Sequence, residues 1–475
     1  MFVGAIPGLT ATMATALLVP VTFFMEPVPA IATIVTATAM AIFAGDIPGT
    51  MLRMPGTPAS AAYVQDAYSL TQQGKPEAAL GASLVFSSIG GIFGTLVLIT
   101  ASPVLAEIAL KFSSFEYFWL VVLGLSCAVF ISPGSPARGL ISLFIGLFAA
   151  TVGLDNPAGV PRYTFGSVEM MGGVQFIPAM IGLFAVSEVI RAFIKRADAV
   201  RPPSTTGKSI FRQQATNLRK YPLQALRGSA LGTAIGALPG AGADIAAWIS
   251  YAISKKFSKT PEKFGTGHVE GLVEAGASNN GAMSGAWIPA LVFGIPGDSI
   301  TAIVIGVLYI KGINPGPMVF ITQPQMIYAV FIVFLLANLI MLPLGWIAIK
   351  GARQVLSIPQ KVLMPVILMF CIVGSFAINN SVFGIGLMLI FGIIGFLMEE
   401  NDIPIAPAIL GLVLGPMLEQ NFVTSMIKSD GSFLAFFERP IAAGLGLFTI
   451  AIWAIPLVLW LLKRRGGTLK PAERT

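Results

Sequence analysis

Acidic residues are scarce in this chain, and three of them lie beside Pro-Gly pairs within apolar sequence. Asp46 precedes Pro48-Gly49, Asp244 follows Pro239-Gly240, and Asp298 comes directly after Pro296-Gly297. An unwound Pro-Gly turn offers backbone carbonyls next to such carboxylates, an oxygen-rich setting that suits a hard cation such as sodium. Asp46, Asp244 and Asp298 are therefore candidate sodium ligands. Asp298 also has the plainer reading of a helix N-cap, since acids there satisfy orphan N–H groups. The same breaks create half-helix N-termini with a partial positive charge of about half a unit each, which favours an anionic ligand. Two such ends cannot neutralise a di- or tricarboxylate alone, so a carried cation or a nearby basic side chain is expected. Arg53 is the basic residue near the first break. It reads either as a substrate-carboxylate ligand or as a partner of Asp46 or of the cytoplasmic interface.

These residues need elements that break on purpose. Gly4-Ala5-Ile6-Pro7-Gly8 recurs as Gly236-Ala237-Leu238-Pro239-Gly240, and each is followed by a second pair, Pro55-Gly56 and Pro296-Gly297. At membrane depth, broken helices survive only where protein buries them or where they line a watery cavity. Two matching sets imply one site built from two repeats. Ser278-Asn279-Asn280-Gly281 is read as the polar opening of the second broken unit, with amides that could meet carboxylate or sodium, or as an ordinary polar turn.

Composition fixes the class. The 475 residues are 55% hydrophobic and 11% charged, against roughly 25% charged in soluble domains. The expected fold is an all-α polytopic membrane protein without a soluble domain. The connection 191–227 carries nine basic residues and one acid, so the positive-inside rule places it in the cytoplasm. Apolar segment 228–253 is followed by more lysines and is interrupted at Pro239-Gly240, leaving arms of about ten residues, too short to span. It is read as a re-entrant hairpin. Crossings are expected at 27–54, 80–101, 117–132, 139–154, 170–190, 282–310, 326–349, 362–378, 382–398, 403–418 and 440–462. The segment 4–24 then forms an outward-opening hairpin. This gives about 11 transmembrane helices plus two re-entrant hairpins, in two inverted-topology repeats. The expected divisions are an N-terminal repeat at 1–190, the linker 191–227, a C-terminal repeat at 228–462 and a cytoplasmic tail at 463–475.

Other motifs carry little. Gly207-Lys208-Ser209 lacks the upstream glycine of a phosphate-binding loop, since Pro202 stands there. His268 has no companion at metal spacing, and Gly90-Gly91-Ile92-Phe93-Gly94 suits close helix packing. Cys127 and Cys371 lie in apolar runs. Nothing resembles a nucleophile with its base, and the net charge of +7 belongs to cytoplasmic loops rather than to nucleic-acid binding. The competing class is a membrane-embedded enzyme acting on a lipid or polyprenyl substrate, with Asp46, Asp244 or Glu188 as acid or base.

Ordered motifs along nearly the whole length give a specific resemblance. They include the two Gly-x-x-Pro-Gly repeats, Met54-Pro55-Gly56-Thr57-Pro58-Ala59-Ser60-Ala61, Arg162-Tyr163-Thr164-Phe165-Gly166, Gly294-Ile295-Pro296-Gly297-Asp298 and Asn314-Pro315-Gly316-Pro317. With these the chain resembles the large membrane subunit of the tripartite tricarboxylate transporter family. The resemblance implies a bacterial inner-membrane permease for di- and tricarboxylates, coupled to sodium, working by alternating access. It implies a small four-helix membrane subunit and a periplasmic solute-binding protein as partners, and no cofactor beyond the coupling ion. Operation without partner subunits and homo-oligomerisation stay open. Mapped by motif, the candidate substrate site comprises Pro7, Gly8, Arg53, Pro55, Gly56, Thr57, Ser60, Pro239, Gly240, Ser278, Asn279, Asn280, Pro296 and Gly297. Two departures stand out. Family members carry an apolar segment ahead of the first glycine motif, and the region around Asp46 and Arg53 differs from the usual Gly-Gly-Ser pattern.

Overall fold

A computed structural model describes residues 1–6, 9–131, 135–154, 157, 159–194, 210–239, 242–356 and 360–466. The described elements are helical, apart from an isolated bridge between Gly153 and Arg162. After a short turn at Val3–Ala5 come α1 (Ala11–Phe23), α2 (Pro27–Ala44), α3 (Asp46–Leu52), α4 (Pro58–Ala61), α5 (Val64–Gln72) and the long α6 (Pro76–Ala109). Next are α7 (Ser114–Ile131), α8 (Pro136–Ala150), α9 (Val168–Met171), α10 (Phe176–Ile181) and α11 (Ser187–Ile194), the last two joined by a π-helical stretch at Gly182–Val186. Beyond α12 (Ile210–Lys220) lie α13 (Pro222–Gly236), α14 (Gly242–Phe257), α15 (Val269–Phe293), α16 (Ser299–Ile310) and α17 (Val319–Thr322). The chain continues through α18 (Pro324–Leu356), α19 (Gln360–Asn379), α20 (Val382–Glu400), α21 (Ala406–Lys428) and α22 (Pro440–Gly466).

Among the described residues, six helical segments are long and apolar enough to cross a membrane: Pro27–Leu52, Pro76–Ala109, Phe176–Ile194, Pro324–Ala352, Val382–Glu400 and Ala406–Lys428. Shorter apolar helices accompany them, including α1, α8 and α16. The class expected from composition, an all-helical multi-pass membrane protein, is the one observed.

Several boundaries differ from the sequence expectation. The expected polar opening at Ser278–Gly281 is the middle of α15, where all four residues are buried. The helix survives because Asn279 and Asn280 bond across to Tyr63 and to the Ala39 carbonyl rather than competing for their own backbone. The expected crossing 282–310 is interrupted at Gly294–Asp298, between α15 and α16. Of the segment 403–418, rich in proline and glycine, residues 406–418 belong to a continuous α21. Pro407 is placed in its first turn, where a missing N–H costs nothing. The arms around Pro239 have 15 and 16 residues, longer than the apolar run suggests, because polar turns extend both ends. In 4–24, the described structure is the Val3–Ala5 turn and α1.

The centre of the fold is the packing of α6 and α13 against α15. Gly228, Gly232 and Gly236 recur every four residues along α13, and a Cβ on Gly236 would stand 2.1 Å from the Ala282 carbonyl oxygen. Backbones can approach this closely only where side chains are absent. Arg227 adds a bidentate pair across the same contact, at 2.5 and 2.6 Å from the Glu274 carboxylate. The outer helices pair off as well, α8 with α21 and α20 with the π-helical stretch.

Candidate functional site

The two backbone breaks are built alike. At the first, α3 ends at Arg53, whose backbone is left-handed (φ 58°). Pro55-Gly56 follows, and Thr57 caps α4. Its hydroxyl accepts from the Ser60 amide at 3.1 Å, and the Ser60 hydroxyl accepts from the Thr57 amide at 3.1 Å. At the second, α15 ends at the left-handed Gly294 (φ 68°), Pro296-Gly297 follows, and Asp298 caps α16. The Asp298 carboxylate accepts from the Thr301 amide at 2.7 Å and the Thr301 hydroxyl accepts from the Asp298 amide at 2.8 Å. Each reciprocal cap satisfies two of the donors that a broken helix exposes and leaves others unbonded. Each glycine of the Pro-Gly pair lies against the preceding helix. A Cβ on Gly56 would stand 2.8 Å from the Gly45 Cα, and one on Gly297 2.8 Å from the Ala286 Cα.

The starts of the half-helices come together in pairs. Asp244, in the first turn of α14, accepts a 3.2 Å hydrogen bond from the Ala59 amide at the start of α4. Trp248 reinforces this pairing by donating to the Pro58 carbonyl at 3.0 Å. On the other side, the Thr12 and Ser299 hydroxyls, near the starts of α1 and α16, are 3.3 Å apart. Thr10 caps α1 by accepting from the Met13 amide. Gly242 packs directly on Asp298, since a Cβ there would stand 2.8 Å from the Asp298 Cβ. Asp244 and Asp298 are thus close enough to repel each other. Asp244 is exposed and Asp298 half-buried.

Asp46 has a different setting. It is 2% exposed, its Oδ1 accepts from the Tyr63 hydroxyl at 2.7 Å, and the Ser83 hydroxyl bonds its Oδ2. The Asn279 amide donates to Tyr63 at 3.3 Å, which joins the two halves through this carboxyl. Arg53 is exposed and forms no ion pair with Asp46, so that expected alternative is absent among the described residues. Within the network Asn279 Oδ1 is buried without a hydrogen-bond partner, as are Ser278 Oγ and Asn280 Oδ1 on other faces of α15. Unpaired acceptors in a dry interior cost roughly 1–3 kcal/mol each. Oxygen acceptors left in this state beside a carboxylate fit a small desolvated cation chemically.

Of the expected site residues, the structure links Asp46 to Asn279 through Tyr63 and brings Thr57, Ser60, Asp244 and Asp298 to the break region, while Ser278 and Asn280 are buried elsewhere on α15. Pro55, Gly56, Pro296 and Gly297 form the breaks themselves, while Pro239 lies against Gly124 of α7. Pro7, Gly8 and Gly240 fall outside the described residues. The hydroxyls of Thr57 and Ser60 are used by their cap. Sequence reasoning missed Tyr63, Ser83, Thr12 and Ser299. No spacing rule links them to Asp46 or to each other, and the one legible signal nearby was the four-residue glycine period of α13. A cavity of about 520 Å³ between α7, α8 and α21 is lined by Phe118, Leu147, Phe422 and the Arg162–Glu419 pair, and none of the break residues reaches it.

Comparison with known proteins gives a family match and relatives. Residues 1–410 match the tripartite tricarboxylate transporter TctA family. The chain is 34% identical over 459 residues to an "Uncharacterized 52.8 kDa protein in TAR-I ttuC' 3'region" of Agrobacterium vitis, covering 96% of this chain and 91% of the relative. It is 35% identical over 230 residues to an "Uncharacterized protein in TAR-II ttuC' 3'region" of the same organism, covering 48% of this chain and 95% of the relative. No solved structure matches.

Proposed function

Since the chain belongs to the tripartite tricarboxylate transporter TctA family, we propose that it is the permease subunit of a binding-protein-dependent secondary carrier. It imports di- or tricarboxylates across the bacterial inner membrane, coupled to sodium, by alternating access. A periplasmic solute-binding protein delivers the substrate, and a small four-helix membrane subunit completes the assembly. The observation that carries this reading is the pair of equivalent Pro-Gly breaks whose half-helix starts meet beside Asp244 and Asp298.

In this mechanism the two halves, 1–190 and 228–462, are inverted repeats with hairpins at 4–24 and 228–253. The substrate carboxylates sit among the backbone N–H groups at the breaks, and Arg53 supplies a full positive charge from the exposed side. Asp244 and Asp298 have no basic partner among the described residues, and a sodium ion between them removes their mutual repulsion. Asp46, with the unpaired Asn279 oxygen near it, is the third cation ligand candidate. Binding of anion and cation is thereby coupled, because each lowers the electrostatic cost of the other.

The test is uptake in proteoliposomes holding this chain, its small subunit and the binding protein. Labelled di- and tricarboxylates are supplied with and without an inward sodium gradient. Uptake that requires both the binding protein and sodium supports the proposal. Sodium-independent uptake removes the cation roles of the three aspartates, and failure to carry any carboxylate overturns the substrate class.

A further inference from the structure

Beyond the breaks, the two half-helices end in the same way, and each end is fastened to the opposite half of the chain. After the first break α4 is followed, beyond a turn at Ala62-Tyr63, by α5, which has Gln73 as its C-cap, followed by the left-handed Gly74 (φ 74°). The helix after the second break, α16, has Lys311 as its C-cap, followed by the left-handed Gly312 (φ 70°). The backbone closures correspond as well. The Lys75 amide donates to the Leu70 carbonyl at 2.8 Å, and the Ile313 amide donates to the Leu308 carbonyl at 2.9 Å. Gln73 and Lys311 thus each occupy the C-cap of a helix that lies beyond a break.

Their side chains make equivalent contacts. The Gln73 amide donates at 2.9 Å to the Thr266 carbonyl, in the connector between α14 and α15. The Lys311 ammonium donates at 2.9 Å to the Phe23 carbonyl and at 2.6 Å to the Met25 carbonyl, in the connector between α1 and α2. On the α5 side a buried acid strengthens the attachment. Asp66 Oδ1 accepts from the amides of Gly265, Gly267 and His268 at 2.8, 2.8 and 2.9 Å, and Oδ2 accepts from the Tyr251 hydroxyl at 2.6 Å. A carboxylate holding three backbone donors is a strong, directional tie.

We propose that Gln73 with Asp66, and Lys311, are positioning residues that lock each post-break helix to the opposite half's connector, so that helix and connector move as one body through the transport cycle. The proposal rests on the carrier reading above. Its physical basis is that the paired half-helix starts, α4 with α14 and α1 with α16, keep their register only if the far ends are held too. A break leaves a short helix free to pivot, and a tie at its other end removes that freedom.

A cysteine pair at Gln73 and Thr266, in a background with Cys127→Ser and Cys371→Ser, is bridged in proteoliposomes with a short bifunctional methanethiosulfonate. Both positions are exposed. Uptake of the labelled carboxylate carried by the unbridged pair is expected to stay within about twofold, because the bridge joins parts that already travel together. A loss of about tenfold or more that a reductant reverses shows that the two segments separate during transport, and overturns the proposal. Lys311→Met is expected to lower the maximal uptake rate about tenfold, the equivalent of one charged hydrogen bond, with the half-saturating substrate concentration unchanged and Lys311→Arg restoring the rate. An unchanged rate in Lys311→Met also overturns it. Hydrogen exchange needs no transport. In Asp66→Ala the amides of Gly265, Gly267 and His268 are expected to exchange at least about tenfold faster than in the parent, and equal rates overturn the tie. Faster exchange in a preparation that carries no carboxylate would sink the carrier reading while leaving the tie in place.

Discussion

Asp46 lies fully inside the protein, and its neighbours are hydroxyls rather than a lysine or arginine. Removing one hydroxyl therefore leaves a buried carboxyl with half its support. Tyr63→Phe is expected to destabilise the protein by about 1–3 kcal/mol, read as a lower midpoint of thermal unfolding in detergent; an unchanged midpoint would mean that the Tyr63 contact is dispensable. Asp244 is exposed and makes a single long hydrogen bond to a backbone amide, so its replacement leaves no buried group orphaned. Asp244→Asn is expected to insert normally and to raise the sodium concentration for half-maximal uptake by about tenfold or more, as removal of one charge from a paired site implies. Unaltered sodium dependence would remove Asp244 from the cation site. Arg53 combines an exposed side chain with a left-handed backbone that strains any residue with a Cβ. Arg53→Gly and Arg53→Ala both delete the guanidinium, but only glycine relaxes the backbone. Equal loss of apparent substrate affinity in the two variants would assign the effect to the charge, while a defect confined to Gly would assign it to the turn. Asp46, Asp244 and Asp298 were legible as candidates because acids are rare in apolar sequence. Their different surroundings were not, since burial and partners come from residues far away in the chain.

At the level of elements, the breaks were readable and the helices around them less so. Proline acts locally, through a lost N–H, so Pro55-Gly56 and Pro296-Gly297 appear in sequence as the interruptions they are, each just beyond a left-handed residue, Arg53 or Gly294. Ser278–Gly281 looked like a turn by composition, yet lies inside α15 because partners on α6 and α13 bury it. The glycine period of α13 decides how closely that helix approaches α15. Gly236→Val is expected to destabilise folding severely, because its Cβ would fall within the Ala282 carbonyl; little folded protein should survive extraction, whereas an abundant, monodisperse variant would refute the close contact. The break itself is tested by Pro239→Ala with Gly240→Ala, which is expected to abolish uptake while leaving insertion intact.

For the whole molecule, loop charge remains the guide to orientation. The inverted-repeat arrangement requires Arg212, in the basic connection, and Tyr163, in the loop before α9, to lie on opposite sides of the membrane. Single cysteines at these exposed positions, in a background without Cys127 and Cys371, are expected to react oppositely with a membrane-impermeant thiol reagent. Tyr163Cys should label in intact cells and Arg212Cys only after permeabilisation. Labelling of both from one side would overturn the opposed orientation of the two hairpins.

The sequence by itself determined the membrane class, the all-helical architecture, the breaks at Pro55-Gly56 and Pro296-Gly297 and the family, because hydropathy, proline chemistry and ordered motifs are local properties. Tertiary structure alone decided which break faces which, that Asp244 meets the start of α4 while Asp46 is enclosed by Tyr63 and Ser83, and that Gln73 and Lys311 tie each half to the other. These are contacts between residues up to a few hundred positions apart. Their pairing follows from how long helices pack side by side, which no local pattern encodes.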